Sequence, residues 1–272
     1  MCAGALPLRV LLLSFLAPLI SAAEEKLIGW KGETYQGPKL RGNDVFKERD
    51  EQVWVETIAW EPRAFIAHNF LSKEECLQMI HLGAPHMVKS SVIDSKTGRS
   101  VDSKIRTSYG MFLPRGKDEF TKKIEERIAA FAMVPIDHGE GIQILHYEAG
   151  QKYEAHYDYF HDQFNVVNGG QRIATVLMYL SDVEEGGETG FPIGKPIPSY
   201  RAAQEREGSL SPCAQKGAAV KPRRGDALLF YSLKTDGNTD PASLHAGCPV
   251  IRGDKWSATK WMRVNEFKVT MN

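Results

Sequence analysis

Short β-type runs separated by turn residues fill the second half of the chain. They cover 142–147, 153–159, 172–180, 189–192, 227–233, 243–251 and 256–267, and each intervening segment contains Gly, Pro or Asp. Many short strands of this kind are typical of a β-sandwich or a β-barrel. The segment 193–217, which contains Pro196, Pro198 and Pro212, interrupts the series and is predicted to be a long loop.

The N-terminal third carries helix signals in addition to a predicted strand over 64–70. Ser72 and Glu75 have the spacing of a capping box and predict a helix that ends near Leu82. Residues 118–133 place apolar side chains at helical spacing and predict a second helix, whereas 89–105 are polar and predict a mobile loop. The predicted fold class is therefore α+β, with helices packed on one side of a β-rich core.

The first residues are typical of a secretory signal. Arg9 is the only charge before Glu24, and it precedes the apolar run Val10–Ile20 and then Ser21, Ala22 and Ala23. An uncleaved signal anchor is the alternative, although a spanning helix needs about 20 apolar residues. We expect 1–23 to be the signal peptide or anchor, 24–58 a flexible lumenal lead-in, and 59–272 one folded domain in the endoplasmic reticulum or Golgi lumen. A membrane is a partner only if the segment stays uncleaved.

Charge and cysteine content limit the possible binding partners and the number of disulfides. Lys and Arg number 34 and Asp and Glu number 34, and this balance argues against nucleic acid as a partner. With 42% hydrophobic residues, the composition is that of a globular protein. Three cysteines follow the signal, so at most one disulfide forms; we expect Cys213 to pair with Cys248 and Cys76 to stay free. The oligomeric state stays open.

The residues that carry chemistry begin with His156 and Asp158, which are two positions apart. On a strand such side chains leave the same face. His245, from a distant strand, would complete a two-His-one-carboxylate triad, which leaves open positions on Fe(II). Lys255 follows and offers a cation to the far carboxylate of a dicarboxylate cosubstrate. An isolated pair of this kind is common, and Lys255 alone could be a solvated turn residue, so the prediction depends on the four residues together.

Other titratable residues are expected to have ordinary roles. We expect structural or exposed positions for the remaining histidines, which are His68, His81, His86, His138, His146 and His161. The acidic group Glu184, Glu185 and Glu188, which flanks two glycines, is expected to be a solvated turn.

Several longer segments resemble the prolyl 4-hydroxylases, and most closely the plant and algal enzymes. They are 140–158, 168–175, 179–189, 221–230 and 243–261, and the resemblance covers essentially 60–269. It implies a double-stranded β-helix (jelly-roll) fold and a dioxygenase that uses Fe(II), 2-oxoglutarate and O2, with ascorbate. Such enzymes hydroxylate C4 of peptidyl proline in extensin-, arabinogalactan- or collagen-like sequences and release succinate and CO2.

The resemblance also implies roles for single residues. His156, Asp158 and His245 match the iron ligands, and Lys255 matches the lysine that binds the distal carboxylate of 2-oxoglutarate. Residues that resemble the other cosubstrate contacts are Tyr147 and Thr189, and those that resemble peptide contacts are Tyr153, Arg172, Trp261 and Glu140. Nearby Tyr157 and Trp256 are expected to be core. Relatives usually have His where this chain has Arg263, a departure that bears on substrate preference.

Three alternative functions remain at this stage. The same chemistry could act on lysine or on a small molecule, which assays with different substrates would separate. A jelly roll could bind polyproline without turnover, but a pure binder has no need of a triad plus Lys255. A metal hydrolase would leave a lysine that fits a second carboxylate unexplained.

Overall fold

A computed structural model describes residues 52–93, 100–102, 104–206, 208 and 210–268. The predicted signal segment and the lead-in up to residue 51 lie outside the described residues. The lead-in prediction over 24–58 is wrong at its end, because a strand that pairs with two neighbours begins at Trp54. Among the described residues, no helix is long and apolar enough to cross a membrane.

Three α-helices and seventeen strands occur in the described part of the chain. The helices are α1 (Lys73–Gly83), α2 (Glu119–Ala132) and α3 (Pro198–Arg206). The strands are β1 (Trp54–Glu61), β2 (Arg63–His68), β3 (Val88–Lys89), β4 (Ser91–Ile93), β5 (Ser100–Asp102), β6 (Tyr109–Leu113), β7 (Gly139–Tyr147), β8 (Tyr153–His156), β9 (Arg172–Tyr179), β10 (Glu185–Gly186), β11 (Thr189–Phe191), β12 (Lys195–Pro196), β13 (Ala218–Val220), β14 (Ala227–Tyr231), β15 (His245–Gly247), β16 (Val250–Arg252) and β17 (Lys255–Arg263).

The strands form one large and one small sheet, both antiparallel. The large sheet has the order β12-β1-β2-β14-β9-β17-β7-β6-β3, and the small sheet has the order β13-β11-β15-β8. Side chains of both sheets line one cavity, so the cavity lies between them. Two further pairs, β4–β5 and β10–β16, stand outside these sheets. The predicted β-rich core is confirmed.

The two N-terminal helices cover one face of the large sheet. Met79 of α1 and Ile128 of α2 pack in one buried cluster with Ile144 and Val176 of the sheet. Each helix begins where the sequence predicts: Ser72 and Glu75 form the capping box of α1, and the Asp118 side chain caps α2. The opposite face of the large sheet buries the alternate strand residues, including Leu228 and Phe230, in a second cluster.

Several local predictions were wrong. The predicted loop over 193–217 contains α3, whose single buried side chain, Tyr200, provides too little apolar pattern to reveal a helix. The predicted loop over 89–105 contains β4 and β5, although 94–99 and 103 lie outside the described residues. The sequence pattern also missed β1, β6 and β13. The last two have at most five residues each, and β1 buries only the adjacent Ile58 and Ala59, so it lacks the alternation of a half-buried strand.

The cysteine prediction is confirmed. Cys213 and Cys248 form a disulfide, and Cys76 is a buried thiol whose Sγ lies 3.9 Å from the Tyr179 carbonyl oxygen.

Candidate active site

Strand register brings the two predicted histidine ligands together. His156 ends β8 and lies directly opposite His245 at the start of β15 in the small sheet. Asp158 is not on that strand, because β8 ends at His156, so the expected shared strand face does not explain its position. It reaches the same point because the chain turns immediately after β8.

The three side chains form a compact group with its ligand atoms facing inward. Nε2 of His156 lies 3.6 Å from Oδ1 of Asp158, and Nε2 of His245 lies 3.6 Å from Oδ2. Each of the three residues offers one ligand atom, and these three atoms lie within 4.8 Å of one another. This is the only grouping of three His, Cys, Asp or Glu side chains of that kind in the described part of the chain.

Backbone contacts select the histidine tautomer that can bind a metal. Nδ1 of His156 lies 2.8 Å from the Glu154 carbonyl, and Nδ1 of His245 lies 2.9 Å from the Ser243 carbonyl. A carbonyl only accepts, so each Nδ1 carries the proton and each Nε2 keeps its lone pair for the centre of the group. Two imidazole nitrogens and a carboxylate are a suitable donor set for Fe(II), so these residues fit the metal.

The electrostatics of the group agree with that assignment. Burial lowers the pKa of His245 to about 4, so its imidazole is neutral at neutral pH. Burial alone would raise the pKa of Asp158, but the neighbouring His245, His156 and Arg172 outweigh it and the pKa is lowered. Asp158 is therefore ionised, as a metal ligand must be.

Thr175 supports the carboxylate, and the sequence analysis missed this role. Its hydroxyl donates a 2.6 Å hydrogen bond to Oδ2 of Asp158, and both side chains are buried. Thr175 is a lone polar residue between Ala174 and Val176, a local signal that could have identified it.

The triad lines a small cavity of about 50 Å³, and the predicted cosubstrate residues Tyr147, Thr189 and Lys255 line it as well. Lys255 lies opposite Tyr147 across β17 and β7, with Nζ 5.5 Å from the centre of the tyrosine ring. Its ammonium donates to the Gly187 carbonyl at 2.7 Å, and the Tyr179 hydroxyl donates to Oγ1 of Thr189 at 2.8 Å. The structure thus brings these predicted residues together.

Lys255 is 3% exposed, so it is not the solvated turn residue of the alternative interpretation. Burial lowers its pKa to about 8, and the charge of Glu188 opposes that shift.

Glu188 corrects the prediction of a solvated acidic turn. Its side chain is 2% exposed and accepts hydrogen bonds from the Ser211 amide at 2.8 Å and the Ser211 hydroxyl at 2.7 Å. The disulfide joins Cys213, two residues after Ser211, to Cys248, whose amide donates to the Glu188 carbonyl. This long-range connection covers Glu188, and no local pattern could reveal it.

A wider groove of about 400 Å³ also includes His156 and Asp158 in its lining. Its walls include three of the predicted peptide contacts, Tyr153, Arg172 and Trp261. Tyr153 stacks on the ring of His156 at 3.5 Å between centroids, and the Arg172 guanidinium lies 3.9 Å from the centre of Trp261. Burial raises the pKa of Tyr153 to about 12, so its phenol stays protonated and can donate.

The sequence analysis expected Tyr157 and Trp256 to belong to the core, and the structure separates the two. Tyr157 is half-buried and lines the groove, so that expectation is wrong for it. Trp256 stacks on His146 and packs against the main buried cluster, as expected.

The fourth predicted peptide contact, Glu140, lies between two arginines and is not among the described residues that line the groove. Arg172 binds both carboxylate oxygens, at 2.7 and 2.9 Å, and Arg263 binds Oε1 at 2.6 Å. Burial would raise the pKa of Glu140, but the two guanidinium groups outweigh it and lower the pKa. Glu140 therefore supports Arg172, and Arg263 pairs with the same carboxylate.

The other histidines have no place in the metal group, as expected. Nδ1 of His68 lies 2.9 Å from Asp226, His138 contacts the Arg263 carbonyl, and His81 and His86 are exposed. His161 is exposed and lines the groove beside Tyr159.

Comparison with known proteins identifies the family. Residues 142–263 match the model of the 2OG-Fe(II) oxygenase superfamily. An Arabidopsis thaliana protein named "Probable prolyl 4-hydroxylase 3" is 62% identical over 233 residues, which are 84% of this chain and 78% of that protein. Prolyl 4-hydroxylase 5 of the same plant is 56% identical over 82% of this chain and 76% of its own length.

The chain belongs to the prolyl 4-hydroxylases. A solved structure supports the fold: a viral collagen prolyl hydroxylase from Paramecium Bursaria Chlorella virus-1, in complex with 2OG, has a TM-score of 0.52 and 25% sequence identity, covering 74% of this chain and 95% of that one. This prolyl 4-hydroxylase therefore has the jelly-roll core that the resemblance implies, and it is an enzyme that uses Fe(II), 2-oxoglutarate and O2. Family membership decides against the binder and the hydrolase.

Proposed function

We propose that this prolyl 4-hydroxylase acts on proline-rich secretory or cell-wall proteins of the extensin, arabinogalactan or collagen type, and hydroxylates C4 of proline while releasing succinate and CO2. One observation carries the proposal: His156 and Asp158 of the metal group line both a small cavity that holds a buried cation and a wider aromatic groove. The cavity fits a small dicarboxylate, and the groove fits an extended peptide.

In this proposal the triad is the metal site. Nε2 of His156, Nε2 of His245 and a carboxylate oxygen of Asp158 hold Fe(II). When bound there, Fe(II) supplies, together with 2-oxoglutarate, the activation of dioxygen and the oxidation of the proline C–H bond. Thr175 and the two carbonyls that bind Nδ1 hold the ligands in position, because outer hydrogen bonds orient metal ligands.

Lys255, Tyr147 and Thr189 are proposed to bind 2-oxoglutarate. The Lys255 ammonium is the cation for the distal carboxylate, and the two hydroxyls are donors that line the same cavity. The Lys255 ammonium already donates one hydrogen bond to the Gly187 carbonyl. That bond fixes the orientation of the ammonium, so its remaining N–H groups are positioned before the ligand binds. The site is buried, so a charge-assisted bond there is strong.

Tyr153, Arg172 and Trp261 are proposed to bind the peptide, with Glu140 supporting Arg172. Polyproline II helices have no internal hydrogen bonds, so their carbonyls seek external donors. The Trp261 ring lines the groove and offers an aromatic surface to such a helix. The stacked Arg172 guanidinium, beside the same ring, provides a donor for a carbonyl.

The proposed setting is the endoplasmic reticulum or Golgi lumen. The disulfide between Cys213 and Cys248 fits an oxidising compartment, and the N-terminal sequence resembles a secretory signal or an anchor. Dependence on ascorbate belongs to the same proposal and is supported by the family alone.

The decisive experiment measures succinate formation by the iron-loaded protein with and without poly-L-proline or an extensin-type peptide. We expect peptide-stimulated turnover and 4-hydroxyproline in the product. Turnover without stimulation would keep the dioxygenase but reject proline-rich peptides. A lysine-containing peptide tests the alternative substrate class. Hydroxylysine as the product, in place of 4-hydroxyproline, would reject the proposal.

A further inference from the structure

The groove extends past Trp261 to an exposed aromatic side chain that has no assigned role. Phe112 lies on β6, two strands from Trp261 on β17, and lines the same groove. It is 55% exposed, whereas Trp261 is 7% exposed. Their ring centroids are 6.4 Å apart with an angle of 38° between the planes, so the two rings form one continuous apolar floor.

The position of Phe112 on its strand directs it into the groove. Phe112 lies opposite Gln143 of β7, a buried residue that also lines the groove. Met111, its neighbour in sequence, packs against the helix-covered cluster, as the alternation of a strand requires. Phe112 is thus an apolar side chain on the open face of the sheet, held beside the proposed peptide site.

We infer that Phe112 forms, with Trp261, an apolar subsite that binds a proline ring of the substrate a few residues away from the proline that is hydroxylated. The inference rests on the proposed function, which it deepens by adding a contact outside the metal centre. An aromatic floor suits this ligand, because proline-rich helices are gripped by aromatic-lined grooves.

The spacing of the strands gives the distance along the peptide between the hydroxylated proline and the proline bound at Phe112. Thr175, which holds Asp158, lies on β9 opposite Trp261, and β6 is three strands from β9. Three strand spacings are about 14 Å, and a polyproline II helix rises about 3.1 Å per residue, so the subsite is reached about three to five residues from the target. A short peptide would leave it empty.

The test compares proline peptides of about three and about ten residues, the lengths that cannot and can reach Phe112 by the rise per residue. Wild type and Phe112→Ala are assayed for 4-hydroxyproline, and peptide binding is measured by calorimetry. We expect Phe112→Ala to raise KM and Kd for the long peptide about tenfold, as loss of one aromatic contact implies, and to leave the short peptide unchanged. Phe112→Tyr should restore binding.

The matched control is Tyr109→Ala. Tyr109 is an exposed aromatic on the same strand but lies opposite His146, on the face away from the groove, so its loss should alter neither peptide. Equal long-peptide KM in wild type and Phe112→Ala would overturn the subsite while the enzyme remained a proline hydroxylase. A wild type that hydroxylates neither peptide would reject the proposed function itself.

Discussion

At the scale of single residues, each ligand of the proposed metal site is held by a second contact. The hydroxyl of Thr175 binds Asp158, and carbonyls of Glu154 and Ser243 bind the two imidazoles. Because these contacts already order the ligands, metal binding does not have to offset the free energy of ordering them. Removing one such contact should therefore weaken metal binding while all three ligands remain.

Thr175→Val should lower metal affinity about 10- to 100-fold, the range for loss of an outer contact. The reason is that Asp158 would lose its buried hydrogen bond from Oγ1 while all three ligands remain. Titration with Co(II) or Mn(II) measures the change. Thr175→Ser, which keeps the hydroxyl, is the control and should bind normally; equal affinity in Thr175→Val would remove the proposed support.

Lys255 should make cosubstrate binding depend on pH. Burial lowers its pKa to about 8, so the ammonium is present below that pH and lost above it. A bound carboxylate favours the charged form, so 2-oxoglutarate affinity should fall as pH rises through about 8, by up to tenfold per pH unit. Calorimetry across this range with a redox-inert metal measures it.

Lys255→Ala is the control for that titration. It should bind 2-oxoglutarate weakly at every pH, because the cavity then lacks its cation. If the variant kept the same pH dependence, another group would be responsible and the role of Lys255 would be wrong.

At the scale of secondary-structure elements, Arg263 at the end of β17 holds the segment between β8 and β9. Its guanidinium donates to the carbonyls of Asn165 and Gly170, at 2.8 and 2.7 Å, and to Glu140. The same segment follows Asp158 and leads to Arg172 in the groove. One side chain thus connects three elements around the proposed peptide site.

Arg263→Ala should raise KM for the peptide several-fold, since Arg263 holds Glu140, the partner of the groove residue Arg172. KM for 2-oxoglutarate should be unchanged, because neither Arg263 nor Glu140 lines the small cavity. Hydrogen exchange in residues 160–170 should become faster, which a local loss of bonds predicts. Arg224→Ala, at a more exposed arginine, is the control. Unchanged exchange in the segment would contradict the anchoring role.

The helix α2 is joined to the centre of the large sheet by a buried ion pair. Glu125 and Lys260 are each 1% exposed, and Nζ lies 2.6 Å from Oε1. The other carboxylate oxygen of Glu125 accepts from the Gly116 amide at 2.9 Å. Burying two charges is favourable only when they are paired, so neither partner can be removed alone without cost.

Glu125→Ala should lower the free energy of unfolding by about 3–5 kcal/mol, because it leaves the Lys260 charge buried without its partner. Urea denaturation measures the loss. Glu126→Ala, at the exposed neighbouring position, should change stability by less than about 0.5 kcal/mol. The double variant Glu125→Leu with Lys260→Met should recover most of the lost free energy of unfolding. If it recovers none, lost packing and not the unpaired charge explains the destabilisation.

At the scale of the whole molecule, the metal site connects strands that are distant in sequence. His156 and His245 belong to neighbouring strands of the small sheet, and Asp158 is bound to β9 of the large sheet through Thr175. A metal held by these residues binds only when both sheets are in place, so metal binding should stabilise the entire fold.

Saturating Co(II) should therefore raise the Tm. At a metal concentration of about 100 times Kd the stabilisation is about 2.7 kcal/mol, which corresponds to about 5–10 °C for a domain of this size. Differential scanning fluorimetry measures the shift. Asp158→Ala, which removes one ligand, should show little or none of it; an equal shift in that variant would place the metal elsewhere.

Local sequence determined the elements whose residues interact with near neighbours. The capping box of α1, the apolar spacing of α2 and the alternation of the longer strands depend on contacts within a few residues, and each is readable from the chain. The residue types of the triad and of Lys255 were equally readable, because the metal and the cosubstrate demand particular donors and charges.

Tertiary structure alone decided how those residues meet and which others join them. The register of β8 against β15 brings His156 to His245, and the disulfide loop buries Glu188, which the sequence pattern placed in a solvated turn. Tyr157, which follows β8, and Phe112, on β6, line one groove only because the fold brings these two segments together. The physical reason is that burial and charge pairing depend on groups brought from far along the chain, and no local pattern encodes them.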